Sequence, residues 1–311
     1  MKYAVLGTSF FTIKLAEGVL HSGNQLCALI SMPRETLPIN SADIESFAKN
    51  NNVMYFEFED INSQESVDTL KNLNIDIIVS SWPKIIKNEI LTLPKLLVGT
   101  HPTNLPHNRG RHPLHWLLAL GIKETKQSFF WMDSGIDSGK ILLQLPIEIE
   151  KHDDINTLNQ KAAAVAYTGI KTICKQIENS TLDMKQQEGV PNYWRARNIF
   201  DSIIDLRMGS EAIINHVKSF THPYPCAKLI FKKEIISILE AEVFEQDEEW
   251  VKNMEYGKIY LINGQSIVVK CCDSLIKLIV KNMPASMAHL NPKERYIYPP
   301  AYYIQHYDLH L

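Results

Sequence analysis

The sequence predicts an α/β protein in which a doubly wound, mostly parallel sheet is followed by a smaller open β-barrel domain. One observation predicts the sheet: five apolar runs follow one another in the first hundred residues, and helical segments separate them. A second observation predicts the barrel, because the apolar runs after residue 206 are short and are separated by polar turns.

The chain begins with a strand, a turn and a helix. Lys2–Leu6 is an apolar run typical of a buried strand, and Gly7 allows the chain to turn. Thr8 or Ser9 can cap a helix that Gly23 ends. The segments QLCALIS, VMYFEF, IDIIVSS and KLLVGT predict four further buried strands.

The fifth strand leads into the most unusual stretch of the chain. We expect this strand to end at Val98 and the chain to turn at Gly99. A short helix follows, which Pro113 can begin and Gly121 can end. The segments QSFFWMD and ILLQLPIEI predict two more strands with a glycine-flanked loop between them, and residues 154–178 predict a long helix.

Domain boundaries follow from the same pattern. We expect a catalytic domain over residues 1–180, a polar linker over 181–205, and a barrel similar to an OB-fold over 206–311. The barrel strands are predicted in the segments AKLIF, EIISILEAEVF, GKIYLINGQSIVVKC and SLIKLIV.

Composition excludes several classes of protein. Of the 311 residues, 45% are hydrophobic and 22% are charged, and the formal net charge of −3 gives no basic surface typical of nucleic-acid binding.

The five cysteines show no C-x-x-C spacing, so we expect reduced thiols and neither a zinc site nor a redox pair. No run of eighteen apolar residues is present, which predicts a cytoplasmic protein without membrane contact. The first turn lacks the glycine patterns of nucleotide-binding loops, so a nicotinamide cofactor is not expected.

Two polar loops follow neighbouring strands and are expected at one edge of the sheet. The first, GTHPTNLPHNRGRHPLHW at residues 99–116, brings His101 there, and the second, DSGIDSG, brings Asp137. An imidazole beside a carboxylate can act as a general acid or base. On the residues alone a structural role is the better interpretation, because a lone histidine in a proline-rich turn is more often structural and aspartate in D-S-G is usually a turn former.

A family resemblance favours the catalytic interpretation. The segments HPTNLPHNRGRHP and ETKQSFFWMDSGIDSGKIL resemble the signature of the formyltransferases that use 10-formyltetrahydrofolate. IDIIVSSWPKIIKNEIL is similar to their pterin-side strand and loop, and NYWRARN with IIDLRMGSEAIINHVKSFTHPYPCA resembles the opening of their second domain. The resemblance implies their Rossmann-like fold, 10-formyltetrahydrofolate as co-substrate and no metal.

The resemblance also implies roles for individual residues. His101 and Asp137 would be the catalytic pair: imidazolium His101 stabilises the oxyanion formed when an amine attacks the formyl carbon, and Asp137 supports that charge and helps remove the amine's proton. A second group would bind substrate or shape the loop, and comprises Arg109, Gly110 and Pro113. A third group would contact the pterin, and comprises Trp82, Ile85, Ile86, Asp133, Gly135 and Gly139.

The chain departs from the family pattern at Gly99. The family has an asparagine there, whose amide donates a hydrogen bond to the formyl oxygen, and loss of one such donor costs about a hundredfold to a thousandfold in rate. Thr100, Asn104, a backbone N–H or a water molecule could replace it. Alternatively the enzyme is slow or uses a related one-carbon donor, or the protein is a catalytically impaired folate or sugar-nucleotide binding protein.

The acceptor is predicted from charge. The family's methionyl-tRNA enzymes carry a basic insertion after their second strand, where this chain has MPRETLPINSADIE with Arg34 as its only basic residue. Residues 201–311 contain twelve lysines and arginines against fourteen aspartates and glutamates. A nucleotide-linked amino sugar is therefore the preferred acceptor and methionyl-tRNA the alternative. The sequence does not determine the oligomeric state, and a dimer is compatible with it.

Overall fold

The computed structural model describes residues 1–288, 290 and 295–306, and the chain divides into two compact units. The first unit comprises Met1–Pro113, Lys123–Lys151 and Thr157–Arg195, and the second comprises Leu114–Ile122, His152–Asn156 and Ala196–Leu311. Residues 181–195, which the sequence placed in a linker, group with the first unit, because backbone hydrogen bonds of Lys185, Asn192 and Trp194 join them to it.

The first unit is built on a seven-stranded sheet of order β3-β2-β1-β4-β5-β7-β8. Strands β1 to β5 are parallel, and β7 pairs antiparallel with both β5 and β8, so β7 alone opposes the direction of the sheet, which confirms the predicted doubly wound and mostly parallel sheet. The strands up to β8 are β1 (Lys2–Leu6), β2 (Gln25–Ser31), β3 (Met54–Glu57), β4 (Ile77–Ser80), β5 (Leu96–His101), β6 (Arg109–Gly110), β7 (Glu124–Trp131) and β8 (Ile141–Glu148).

Helices lie between these strands along the chain. They are α1 (Phe10–Leu20), α2 (Ile44–Asn50), α3 (Gln64–Leu73), α4 (Asn88–Leu91) and α6 (Ile155–Glu178), whereas α5 (Pro113–Ala119) falls almost wholly in the second unit. Local sequence sets their ends: Asp43 and Ser63 each accept a hydrogen bond from a backbone N–H of the first turn, at the starts of α2 and α3. Asn74 ends α3 in the left-handed conformation. Buried apolar residues from both faces of the sheet form two separate cores.

Strand β5 is longer than the sequence indicated. The expectation that it ends at Val98 was wrong, because the strand continues to His101. Gly99, Thr100 and His101 pair with Phe130, Phe129 and Ser128 of β7, and this antiparallel partner holds three more residues in extended conformation. Gly99 therefore lies inside a strand, and His101 is the strand's last residue.

The two edge strands of the sheet are β3 and β8. Pro146 lies within β8, and proline has no backbone N–H to donate to a neighbouring chain. At the beginning of β8, Ile141 exchanges two backbone hydrogen bonds with Lys185. One end of the β8 edge is thus already paired within the same chain.

The second unit contains a five-stranded antiparallel sheet of order β10-β11-β14-β13-β12. Its two outer strands are not paired with each other among the described residues, which confirms an open arrangement. Helix α7 packs against β11, and Tyr303 of the last described helix is buried in the same core. The remaining elements are β9 (Tyr193–Trp194, in the first unit), α7 (Ser210–Lys218), β10 (Ala227–Phe231), β11 (Glu234–Phe244), α8 (Glu249–Lys252), β12 (Ile259–Asn263), β13 (Ser266–Lys270), β14 (Leu275–Val280), α9 (Ala285–Ala288) and α10 (Pro300–His306).

Among the helices described, none combines the length and the apolar character needed to cross a membrane.

Candidate active site

His101 is a buried histidine at the carboxyl end of β5, with 5% of its surface exposed. Its Nε2 lies 2.8 Å from the carbonyl oxygen of Asn108. Because a carbonyl oxygen can only accept, Nε2 carries a hydrogen and donates it. Nδ1 faces the carboxylate of Asp137, with 3.6 Å between Nδ1 and Oδ2. Nδ1 is therefore the ring nitrogen at which a proton can be gained or lost.

Asp137 comes from the loop between β7 and β8, and the structure brings it to His101 as the sequence predicted. Its backbone has a φ of 48°, in the left-handed region that aspartate adopts less readily than glycine. Its Oδ2 accepts a hydrogen bond of 2.9 Å from the backbone N–H of Gly110. The same carboxylate oxygen thus faces both the imidazole and the loop that follows β5.

The remainder of the loop between β7 and β8 is closed by its own residues. Oδ1 of Asp133 accepts hydrogen bonds from the N–H of Gly135, at 3.0 Å, and from Oγ of Ser138, at 2.7 Å. A side chain at Gly139 is excluded, since a Cβ there would lie 1.6 Å from the carbonyl oxygen of Trp131. In this structure Asp133 and Gly139 therefore shape the loop that presents Asp137.

Arg109 and its neighbours shape the loop that follows β5. Arg109 is buried and donates to the hydroxyl of Tyr193, at 3.0 Å, and to Oε1 of Gln187, at 2.7 Å. Gly110 has a φ of 104°, and Pro113 is the first residue of α5. Of the two roles considered for Arg109, these contacts favour shaping the loop.

The candidates for the missing amide donor lie in different surroundings. A Cβ at Gly99 would lie 2.6 Å from Cζ of Phe130 and 2.6 Å from Cγ of Met132, so these apolar side chains fill the place of a side chain there. Thr100 lies on the opposite face of the strand from His101, and its hydroxyl donates to the carbonyl oxygen of Ser80. Asn104 lies half-buried in the loop after β5.

A cavity of about 370 Å³ opens near the end of β4 and is lined by Asn62, Ile85, Ile86, Lys87, Glu89 and Ser134. Trp82, three residues before Ile85, is buried and is not among the residues that line the cavity. Apolar surface from Ile85 and Ile86 beside polar side chains fits a flat heterocycle with polar edges. Ile85 has 73% of its surface exposed and Ile86 only 5%, so Ile85 is the more accessible wall.

Three polar residues that hold these loops were not identified from the sequence. Asn62 fixes the cavity loop, because its amide donates to the carbonyl oxygen of Ile85 and accepts from the N–H of Lys87. Arg111 donates to the carbonyl oxygen of Pro83 at 3.0 Å. Gln187 donates to the carbonyl oxygens of Asp137 and Gly139. No sequence pattern identifies these three residues, because each of their contacts joins segments that are far apart in the sequence.

Two family profiles match this chain. The profile described as formyl transferase matches residues 18–173, and that described as formyl transferase, C-terminal domain, matches residues 200–292. The methionyl-tRNA formyltransferase of Caldanaerobacter subterraneus subsp. tengcongensis is 26% identical over 287 residues, which cover 90% of this chain and 91% of that protein.

Two solved structures share the fold. WlaRD, a sugar 3N-formyl transferase crystallised with dTDP and 5-N-formyl-THF, has a TM-score of 0.69 at 17% identity, over 91% of this chain and 99% of that chain. The N-formyltransferase of Helicobacter canadensis, in complex with folinic acid and dTDP-3-aminofucose, has a TM-score of 0.68 at 17% identity, over 91% and 100%.

Proposed function

Because the chain belongs to the formyl transferase family, we propose that it transfers the formyl group of 10-formyltetrahydrofolate to the amine of a nucleotide-linked amino sugar. The reaction class is that of the family, whose enzymes are folate-dependent N-formyltransferases. The observation that carries the proposal is the buried His101 with its Nδ1 facing the Asp137 carboxylate at the carboxyl edge of the sheet.

His101 and Asp137 handle the proton. The co-substrate supplies the formyl group, and the acceptor amine must lose a proton as its new bond to carbon forms. With Nε2 fixed as a donor by Asn108, His101 can hold a second proton only at Nδ1, where Asp137 stabilises the resulting positive charge. An imidazolium held in this way stabilises negative charge beside it, and Asp137 can take up the amine's proton. When the bond between N10 and the formyl carbon breaks, tetrahydrofolate leaves with a proton on N10, so the proton count balances.

The loop near the end of β4 is the proposed pterin site. Ile86 supplies apolar surface, and Ile85 supplies the exposed wall of the cavity. Trp82 is buried three residues before Ile85 and supports this loop from within. The loop that carries Asp137 is held by Asp133 and Gly135 before this residue and by Gly139 after it.

Charge supports the amino sugar as acceptor. Residues 201–311 carry two more acidic than basic residues, and the segment after β2 contains one arginine, Arg34. A tRNA acceptor needs clustered positive charge. Methionyl-tRNA is the second candidate, because the relative that aligns with 90% of this chain is a methionyl-tRNA formyltransferase.

The test is formyl transfer from 10-formyltetrahydrofolate to a panel of nucleotide amino sugars that includes dTDP-3-aminofucose, with methionyl-tRNA assayed in parallel and products identified by mass spectrometry. We expect a formylated sugar and a rate that falls about a thousandfold in H101N and in D137N. H107N is the matched control, because His107 is an exposed residue of the same loop.

Other outcomes would replace the proposal. Efficient formylation of methionyl-tRNA alone would make tRNA the acceptor. Binding of folinic acid without turnover of any amine would indicate a binding protein. Full activity in D137N would exclude the catalytic pair.

A further inference from the structure

Gln187 makes three hydrogen bonds that use every polar hydrogen of its amide. Its Nε2 donates to the carbonyl oxygens of Asp137 and Gly139, each at 2.8 Å, and its Oε1 accepts from the guanidinium of Arg109 at 2.7 Å. Rotating the amide by 180° would place its oxygen against two carbonyl oxygens and its nitrogen against a guanidinium. The three partners therefore specify one orientation of the amide.

Gln187 comes from a segment that also pairs with the loop after β5. Strand β9 pairs in parallel with β6, and Asn192 exchanges hydrogen bonds with Asn108, whose carbonyl oxygen accepts from His101. This segment thus contacts both the loop that carries Asp137 and the loop that follows His101. Within it, Gln187 is the residue whose side chain reaches the backbone of Asp137.

The backbone of Asp137 requires support from its surroundings. A non-glycine residue in the left-handed region costs about 1–3 kcal/mol and persists where surrounding contacts hold it. The two bonds from Gln187 fall on Asp137 itself and on Gly139 two residues later. They restrain the part of the loop that aims the Asp137 carboxylate at His101.

We propose that Gln187 is a positioning residue that fixes the Asp137 carboxylate for proton transfer with Nδ1 of His101. The inference rests on the proposed function, in which this pair is catalytic. Gln187 acts through Asp137, and its donor nitrogen matters more than its acceptor oxygen.

The first test measures the loop without any assay of activity. Hydrogen–deuterium exchange of peptides covering residues 131–141 is compared between Q187A and Q186A, since Gln186 is the exposed glutamine beside it. We expect exchange at least tenfold faster in Q187A and unchanged exchange in Q186A. Unchanged exchange in Q187A would overturn the proposal whatever the acceptor is.

The second test separates the donor from the acceptor of the amide. Q187E keeps an oxygen for Arg109 but places a carboxylate against the carbonyl oxygens of Asp137 and Gly139. We expect kcat to fall ten- to a hundredfold in Q187A and at least as far in Q187E, with KM for 10-formyltetrahydrofolate within twofold of the unmodified protein. Near-normal kcat in Q187E would assign the effect to the Arg109 contact and overturn the proposal.

A double variant distinguishes failure of this inference from failure of the catalytic pair. If Gln187 acts through Asp137, then adding Q187A to D137N lowers kcat by less than twofold. A further tenfold loss would overturn the positioning role. An inactive D137N beside a fully active Q187A would refute the inference alone, whereas a fully active D137N would refute the proposed function.

Discussion

Gly99 lies two residues before His101 on the same face of β5. Neighbouring side chains fill the space that a side chain at Gly99 would need. The ring of Phe130 and the side chain of Met132 come within 2.6 Å of where a Cβ would lie. The backbone φ of Gly99 is outside the left-handed region, so packing and not backbone conformation requires glycine here. Apolar contacts thus take the place of the asparagine side chain that the resemblance implies at this position.

Restoring asparagine at this position is expected to impair the protein. G99N must displace Phe130 or Met132, and such overpacking costs about 1–3 kcal/mol of unfolding free energy. We expect single-turnover formyl transfer to fall at least tenfold and the melting temperature to drop. G209N is the control, because Gly209 has an ordinary φ of −69° and a Cβ there would approach only the carboxylate of Asp273, at 3.2 Å. A rate tenfold above that of the unmodified protein would instead show that the site is short of one donor.

At the scale of elements, the loop between β7 and β8 depends on one close approach of backbone to backbone. The carbonyl oxygen of Trp131 occupies the position of a Cβ on Gly139, whereas a Cβ on Gly135 would meet the side chain of Ser138. A hydroxyl can rotate away, but a carbonyl in a strand cannot move without breaking its pairing. The two glycines of one loop therefore differ in what they tolerate.

We expect G139A to lose formyl transfer by at least a hundredfold, because the loop must shift and carry Asp137 away from His101. G135A should keep more than a tenth of the activity, since only Ser138 has to move. Steady-state kinetics of the two variants, with circular dichroism to confirm folding, makes the comparison. Equal activity in both would show that the approach at Gly139 does not control the site.

The elements were largely predictable from the sequence, but their contacts were not. Apolar runs between helical segments indicated the parallel strands, and the position of His101 and Asp137 followed from strand order. The length of β5 depends on β7, a partner about thirty residues later, which no local pattern near Gly99 reveals. Gln187 lies in a polar segment without periodicity, so its bonds to Asp137 and Gly139 depend on the folded chain.

At the scale of the whole molecule, the stability of the second unit is expected to depend on a buried histidine. His216 of α7 is 9% exposed, and burial lowers its pKa to about 4 from an ordinary value of 6.5. The unfolded chain therefore binds a proton between pH 6.5 and 4 that the folded chain excludes, so stability is full above pH 6.5 and falls as the pH drops toward 4. The loss amounts to about 3 kcal/mol.

Urea unfolding at pH 7.5 and pH 5.0 measures this dependence. We expect H216L to flatten the decline in unfolding free energy between the two pH values. H21N, which alters an exposed histidine, should leave the decline unchanged. An identical decline in H216L and the unmodified protein would mean that another group causes it.

Overall charge makes a separate prediction about partners. With a formal net charge of −3 and an acidic second unit, the protein should bind initiator tRNA negligibly at physiological salt. A filter-binding titration at 50 and 150 mM salt measures this. Tight binding that weakens steeply with salt would reveal a cationic surface and would favour methionyl-tRNA as the acceptor.

The sheet edge formed by strand β8 has a consequence for self-association. Two copies of an α/β protein can join their sheets edge to edge only if a full row of N–H and C=O groups is open on each edge strand. Strand β8 does not offer such a row, because Pro146 interrupts its donors and Lys185 already pairs with Ile141. A continuous intermolecular sheet through β8 is therefore disfavoured, so two copies that joined these seven-stranded sheets edge to edge would have to pair through the other edge strand, β3.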